Sequence, residues 1–249
     1  MVAGGVLLRH ARVPEFEAAI QQIKNDAGIV GEMKWSKYKG GAREAAYKAV
    51  VDLCFDAISR RVAALHLIIA NFAEFDHRSV LDGSPEGSVN RMYYQLCLHR
   101  IGQIYGSKCA IVIHPDAGND SREIISFREA ICAGAYKRYD ARPNCIRAIQ
   151  PLSSEEHHVL QMVDIVVGAV AASRNGRELA APKADLAAYV LERSGRRSWA
   201  INTKPTGRFT VWNFRHQERS RLPRHEPRPS QPADSGEGRA AHIVTFPRG

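Results

Sequence analysis

The stretch Leu160-Gln161-Met162-Val163-Asp164-Ile165-Val166-Val167-Gly168-Ala169-Val170 constrains this chain more than any other. Apolar residues surround Asp164 on nearly every side, the pattern of a helix buried all round rather than one with a single wet face. An ionised carboxylate in such a helix is costly unless it is paired, hydrogen-bonded or metal-bound. Gln161 lies three residues before Asp164 and His157 seven before, so helical spacing lets all three share a face. Gly168, one turn beyond, costs about 1 kcal/mol of helix propensity relative to Ala and leaves room for close approach by another element. Two readings of Asp164 stand at this point. In one it is satisfied by a backbone amide or an arginine; in the other it belongs to a site.

A chain of 249 residues can bury a full core, and one α/β domain with extensions is the expected organisation. A formal net charge of +9 favours an anionic partner, nucleic acid first among them. Cys54, Cys97, Cys109, Cys132 and Cys145 are widely spaced and include no C-x-x-C pair. They read as reduced core thiols of an intracellular protein, not as a disulfide frame or a zinc site. Neither a secretory apolar segment after Met1 nor an apolar run of about 18 residues is present, so the expectation is a soluble, cytoplasmic protein with no membrane partner.

The order of elements follows from local signals. Gly4 to Leu8 forms a short strand, and Pro14 opens a helix to about Asn25 that Gly28 ends. After Gly40-Gly41 an amphipathic helix covers about 42–61, and Leu65-His66-Leu67-Ile68-Ile69-Ala70 is a buried strand. A polar loop through Asp82-Gly83-Ser84-Pro85-Glu86-Gly87 precedes a helix over about 89–105. Lys108 to His114 is a core strand. Asp120 or Ser121 caps a helix to about Tyr139, and Asn144 to Ile149 is a further strand. Ser153 and Glu156 have capping-box spacing and start the helix that carries Asp164. A last helix runs from Pro182 to about Arg193, and Phe209 to Phe214 is a strand. The chain beyond Arg215 is rich in Pro, Arg, Ser and Gly, and is expected to be a disordered basic tail over 215–249, attached to a single domain over 1–214. No internal repeat, glycine-rich phosphate loop or serine-nucleophile elbow is found.

Three places could carry chemistry besides Asp164. The segment Gly31-Glu32-Met33-Lys34-Trp35-Ser36-Lys37 combines an acid, an amine and an aromatic, and equally suits a solvated turn anchored by Trp35. Asp116 follows a buried strand, where open α/β sheets place their ligands, and equally suits a turn with Pro115 and Gly118. Glu155-Glu156-His157-His158 invites a metal reading, but a histidine pair chelating from one helix face is spaced i,i+4, so helix capping is preferred.

Taken together, Glu32-Met33-Lys34-Trp35-Ser36-Lys37, the acid Asp116 after a core strand, and Leu160-Gln161-Met162-Val163-Asp164 with Gly168-Ala169 resemble the family called domain of unknown function 3800. The resemblance covers roughly residues 4–214 and implies an RNase H-like α/β fold, a mixed sheet flanked by helices. It implies that Glu32, Asp116 and Asp164 form a catalytic acidic cluster holding Mg²⁺ or Mn²⁺. Phosphodiester cleavage through two divalent ions about 3.5–4 Å apart needs such hard oxygen ligands. On this reading Lys34 contacts a substrate phosphate, and Trp35 stacks on a base or packs in the core, packing being favoured. Gln161 and His157 orient a carboxylate or a water. Family members begin with a strand bearing Asp-Glu-Ser-Gly, which supplies another acid. Here Gly4-Gly5-Val6 corresponds to the second strand, so the central first strand of the sheet is expected to be missing. A start set too far downstream, a truncated relic and a sheet that closes differently are the three explanations.

The function expected from the resemblance is a metal-dependent nuclease acting on RNA or DNA. The alternatives are a catalytically inactive nucleic-acid-binding module of the same fold and a protein-interaction module using the basic tail.

Overall fold

The structure is a computed structural model that describes residues 1–71, 85–117, 121–176, 178–214 and 240–244. Strand β1 (Val2–Arg9) pairs antiparallel with β2 (Ala63–Ala70), with Val2 opposite Ile69 and Leu8 opposite Ala63. Both strands are buried along nearly their whole length, which is why they read as continuous apolar runs rather than alternating ones. Their two faces nevertheless go to two different cores, because successive side chains point to opposite sides. Val2, Val6, Leu8, Leu65, Leu67 and Ile69 pack under α1 (Val13–Asp26), α2 (Glu44–Ser59), α6 (His158–Asn175) and α7 (Ala181–Arg193). Ala3, Leu7, Ala64 and Ile68 face α3 (Pro85–Leu96) and α5 (Ser121–Tyr139). The result is a mixed sheet between two helical layers.

Helix α3 passes into a π-helical segment, Cys97–Gly102, and a final turn, α4 (Gln103–Tyr105). The helix expected from about residue 89 therefore starts earlier, at Pro85, a residue suited to a first turn. The expected loop over 82–87 otherwise lies outside the described residues, as does Asp120. Strand β3 (Ala110–His114) is parallel to β4 (Ile146–Ile149), and β5 (Phe209–Phe214) is parallel to β2 at the other edge.

The sheet has the order β4-β3-β6-β1-β2-β5, and its interior strand β6 is Ala240–Val244. It runs antiparallel to β1 and parallel to β3. This corrects two expectations. The segment expected to be a disordered tail supplies a strand at Ala240–Val244, and the middle of the sheet is filled. The physical reason is hydrogen-bond satisfaction. Without β6, the facing edges of β1 and β3 would leave rows of unpaired N–H and C=O groups between two helical layers. Ala240-Ala241-His242-Ile243-Val244 is short but free of Pro and Gly, and ends in β-branched residues. Residues 215–239 and 245–249 lie outside the described part of the chain.

Helix α6 is the central element of its layer. Gly4 lets it lie close on β1: a Cβ at Gly4 would stand 2.4 Å from Leu67 Cδ2 and 3.0 Å from Val167 Cγ2. The helix starts at His158, later than expected, and the capping box is corrected. Ser153 to Glu156 forms a turn, with the Glu155 N–H donating to Ser153 Oγ at 3.2 Å. The first helical amides donate instead to Glu17 of α1, His158 N–H at 2.6 Å and Val159 N–H at 3.3 Å. A carboxylate at a helix N-terminus is favoured both by the orphan donors and by the helix dipole. Among the described residues no helix is long and apolar enough to cross a membrane.

Candidate active site

The three expected acids, Glu32, Asp116 and Asp164, come together near the carboxyl ends of β3 and β4. Asp116 sits just past β3 and forms an isolated parallel bridge with Leu152, which extends the β3–β4 pairing beyond the strands proper. That bridge brings the segment after β4 alongside Asp116, so Ser154 Oγ lies 3.3 Å from Asp116 Oδ2. The same hydroxyl bonds Glu32 Oε1. Two carboxylates from distant parts of the chain thus touch one oxygen.

Glu32 and Lys34 lie on an irregular segment between α1 and α2 that is pinned to α6. The Met33 N–H donates to Gln161 Oε1 at 2.9 Å, and the Trp35 N–H donates to Asp164 Oδ2 at 2.6 Å. Gln161 is fully buried and its amide also donates to Ser154 O at 2.6 Å. It therefore ties three parts of the site together through backbone groups. Gly168 admits Trp35: a Cβ there would lie 2.4 Å from Trp35 Cγ. The close approach expected at this glycine is made by an aromatic ring. Trp35 packs on α6, and the Lys183 ammonium lies 5.5 Å from its ring centroid. Lys34 is held from behind, its carbonyl accepting from Tyr47 OH at 3.1 Å.

Charge in the cluster is compensated locally. Lys34 Nζ lies 2.8 Å from Glu32 Oε1, and Lys37 Nζ 3.2 Å from Glu32 Oε2. The Glu32 side chain is only 5% exposed. Burial acts to raise its pKa, but hydrogen bonds from Lys34, Ser154 and Lys37 outweigh it, and the carboxyl is held below its ordinary value. Asp164 goes the other way. Burial pushes its carboxyl up, the nearby Asp116 and Glu32 add to that, and the Trp35 amide and Lys34 offset only part. Lys34 loses from burial and gains more from Glu32, Asp116 and Asp164, so its ammonium is held above its ordinary value.

Glu32, Asp116 and Asp164 therefore converge, and Lys34 feels all three. His157 does not join them. It is the residue before α6, with an extended backbone, so the helical face it was expected to share with Gln161 and Asp164 does not include it. Three residues were missed. Ser154 was read only as part of a helix start, and Glu17 as an unremarked position of α1. Lys24 of α1 is 4% exposed, contacts His158 Nδ1 at 3.4 Å, and is close enough to feel Glu32. Only for Ser154 was there a signal: a polar residue following a buried strand parallel to the one that Asp116 follows.

As hard oxygen donors, the carboxylates suit Mg²⁺ or Mn²⁺ in chemical type. One detail favours a cation: Ser154 has one hydroxyl hydrogen and faces two carboxylate oxygens, so it can donate to only one of them. Against this, both oxygens of Glu32 are already ion-paired. Among the described residues no group of three His, Cys, Asp or Glu side chains is arranged to hold a metal ion. The donor set fits the ion; its present arrangement holds an ammonium. Comparison of the chain with family models, with curated proteins and with solved structures found no match.

Proposed function

We propose that this chain is a metal-dependent phosphodiesterase of RNase H-like type, acting on RNA or DNA. The observation that carries the reading is the convergence of Glu32, Asp116 and Asp164, from three separate segments, around Ser154 and Lys34 at the carboxyl ends of two parallel strands. That is where open α/β sheets bind ligands. The strand pattern supports it too: β1 and β2 antiparallel, β6 antiparallel to β1, and β3 and β4 parallel to β6 in turn. On this reading β6 would take the central position of an RNase H-like sheet. The net charge of +9 suits a polyanionic substrate.

On this reading the divalent ion, when bound, supplies an activated water and neutralises charge at the leaving oxygen. Asp116, Asp164 and Glu32 are the side chains that would hold it. The chain's own residues do the rest. The Trp35 amide fixes the orientation of Asp164, and burial makes that carboxyl readier than Glu32 to accept a proton. Lys34 keeps Glu32 ionised and, released from it, is placed to meet a phosphate oxygen.

One observation favours a second reading, a nucleic-acid-binding module without the chemistry: Lys34 and Lys37 already satisfy Glu32. Cleavage of labelled single- and double-stranded RNA and DNA, in Mg²⁺, Mn²⁺ or EDTA, separates the two. Metal-dependent cutting that is lost in Asp164→Asn supports the phosphodiesterase. Salt-dependent binding without cutting in either metal leaves the binding module.

A further inference from the structure

The opposite end of the sheet carries a second cluster, of opposite sign. Because β1 runs against its neighbours β2 and β6, its last residue, Arg9, arrives beside the starts of β2, β3 and β5. Lys108 precedes β3 and Arg208 precedes β5. These three cations line a cleft of about 500 Å³, and among the described residues none that lines it is acidic. The volume lies in the range of small-molecule sites, roughly 300–1,000 Å³. The half-buried Val62 and Ile104 give it an apolar floor, Tyr105 stands in its wall, and Leu7 and Leu8 border it at the end of β1 with their side chains buried in the opposite cores.

Two features bear on what this cleft can hold. Among the described residues Arg9, Lys108 and Arg208 have no carboxylate within ion-pair distance, as is true of most of the other exposed Lys and Arg side chains, and here three such cations border one cleft. Its frame is also fixed from behind. The Tyr105 hydroxyl is hydrogen-bonded to His66 Nε2 at 2.8 Å, and His66 Nδ1 to Thr210 Oγ1 at 2.7 Å. The Arg208 carbonyl accepts from the Leu65 N–H at 2.7 Å. Uncompensated cations over a fixed apolar floor suit an anion with a flat apolar body.

We propose that this cleft binds a phosphate ester of nucleotide type, with Arg9, Lys108 and Arg208 on the phosphates and the apolar floor under the base. The site is separate from the carboxylate cluster and does not depend on how that cluster is read. The phosphate ester can come from a free nucleotide or from the end of a single strand, and the test distinguishes them. Calorimetry of the full chain with ADP, with inorganic pyrophosphate and with a short single-stranded oligonucleotide is compared across salt concentrations.

Saturable ADP binding, stronger than that of pyrophosphate and weakening as salt rises, is expected. The double variant Lys108→Gln/Arg208→Gln should weaken it at least about tenfold, as loss of charge-assisted contacts does. The double variant Lys108→Arg/Arg208→Lys should retain it, which guards against a merely misfolded protein. Asp164→Asn should leave it unchanged, so failure of the carboxylate reading would not touch it. Tighter binding of the oligonucleotide, lost in the same Gln variant, would identify a strand end as the ligand. The proposal is overturned if none of the three probes binds saturably, or if binding survives unchanged in the Lys108→Gln/Arg208→Gln protein.

Discussion

At the carboxyl ends of β3 and β4 three carboxylates are drawn together, half-buried, and answered within a few ångströms by Lys34, Lys37 and Ser154. At the other end of the same sheet Arg9, Lys108 and Arg208 stand exposed around a cleft with no acid in its lining among the described residues. The difference shows how burial decides what a charged group must do. A carboxylate taken out of water has to be paired or hydrogen-bonded. A cation at the surface needs no partner and can wait for an external one. The first cluster is therefore held by direct pairing of its charges, and the cations of the second are brought together by where the strands end.

The largest effect should come from His66, buried behind the basic end. Burial lowers its pKa from 6.5 to about 3. As the pH falls below 6.5 the unfolded chain takes up a proton that the folded chain refuses until about pH 3. This contribution to stability is therefore fully present above 6.5 and is lost progressively between 6.5 and about 3, up to ~5 kcal/mol. Urea midpoints across that window should fall less steeply for His66→Asn than for the parent; equal slopes would remove His66 from the account.

Next, Gly168→Val should disturb the carboxylate end alone. Its new Cβ would meet the Trp35 ring at 2.4 Å, so the segment that carries Glu32 must shift. Overpacking of this kind costs about 1–3 kcal/mol. Denaturant unfolding should register the loss while ADP titration stays as in the parent; a parallel loss of ADP affinity would mean that the two ends are coupled.

Asp164→Ala should cost about 1–3 kcal/mol, because it leaves the Trp35 amide without its acceptor. Asp164→Asn, which keeps an acceptor oxygen, should recover most of that stability but not the proposed cleavage. Recovery of both would exclude a role for the negative charge. Smallest of all, Lys108→Gln/Arg208→Gln should change stability by no more than about 0.5 kcal/mol, since these exposed side chains lack ion-pair partners among the described residues. A thermal melt with a clear drop would show them to be structural.

Parts of the candidate site were legible in the sequence for different reasons. Asp164 stood out because a lone carboxylate in an apolar helix has few explanations, and the structure gives it the Trp35 amide as a partner. Glu32 and Asp116 were singled out by the motifs around them, and nothing in their spacing says that they meet at Ser154. His157 was misplaced because helical periodicity was extended from the turn at 153–156, ahead of the true start of α6 at His158. That start is set by Glu17, and a carboxylate 141 residues away leaves no local trace.

What the sequence by itself determined is the set of elements whose burial is written in their own periodicity: the buried strands at 63–70 and 110–114, the amphipathic helices, and the apolar helix around Asp164. What only the tertiary structure decided is everything that depends on pairing between distant segments. β6 is the plainest case. Ala240 to Val244 has no flanking pattern to announce a strand, and its five residues become one only because β1 and β3 offer it hydrogen bonds on both sides. The two charged ends follow the same logic. Residues near positions 32, 116 and 164, or 9, 108 and 208, become neighbours because strand direction and register bring them to one edge, and neither is a property of any short stretch of chain.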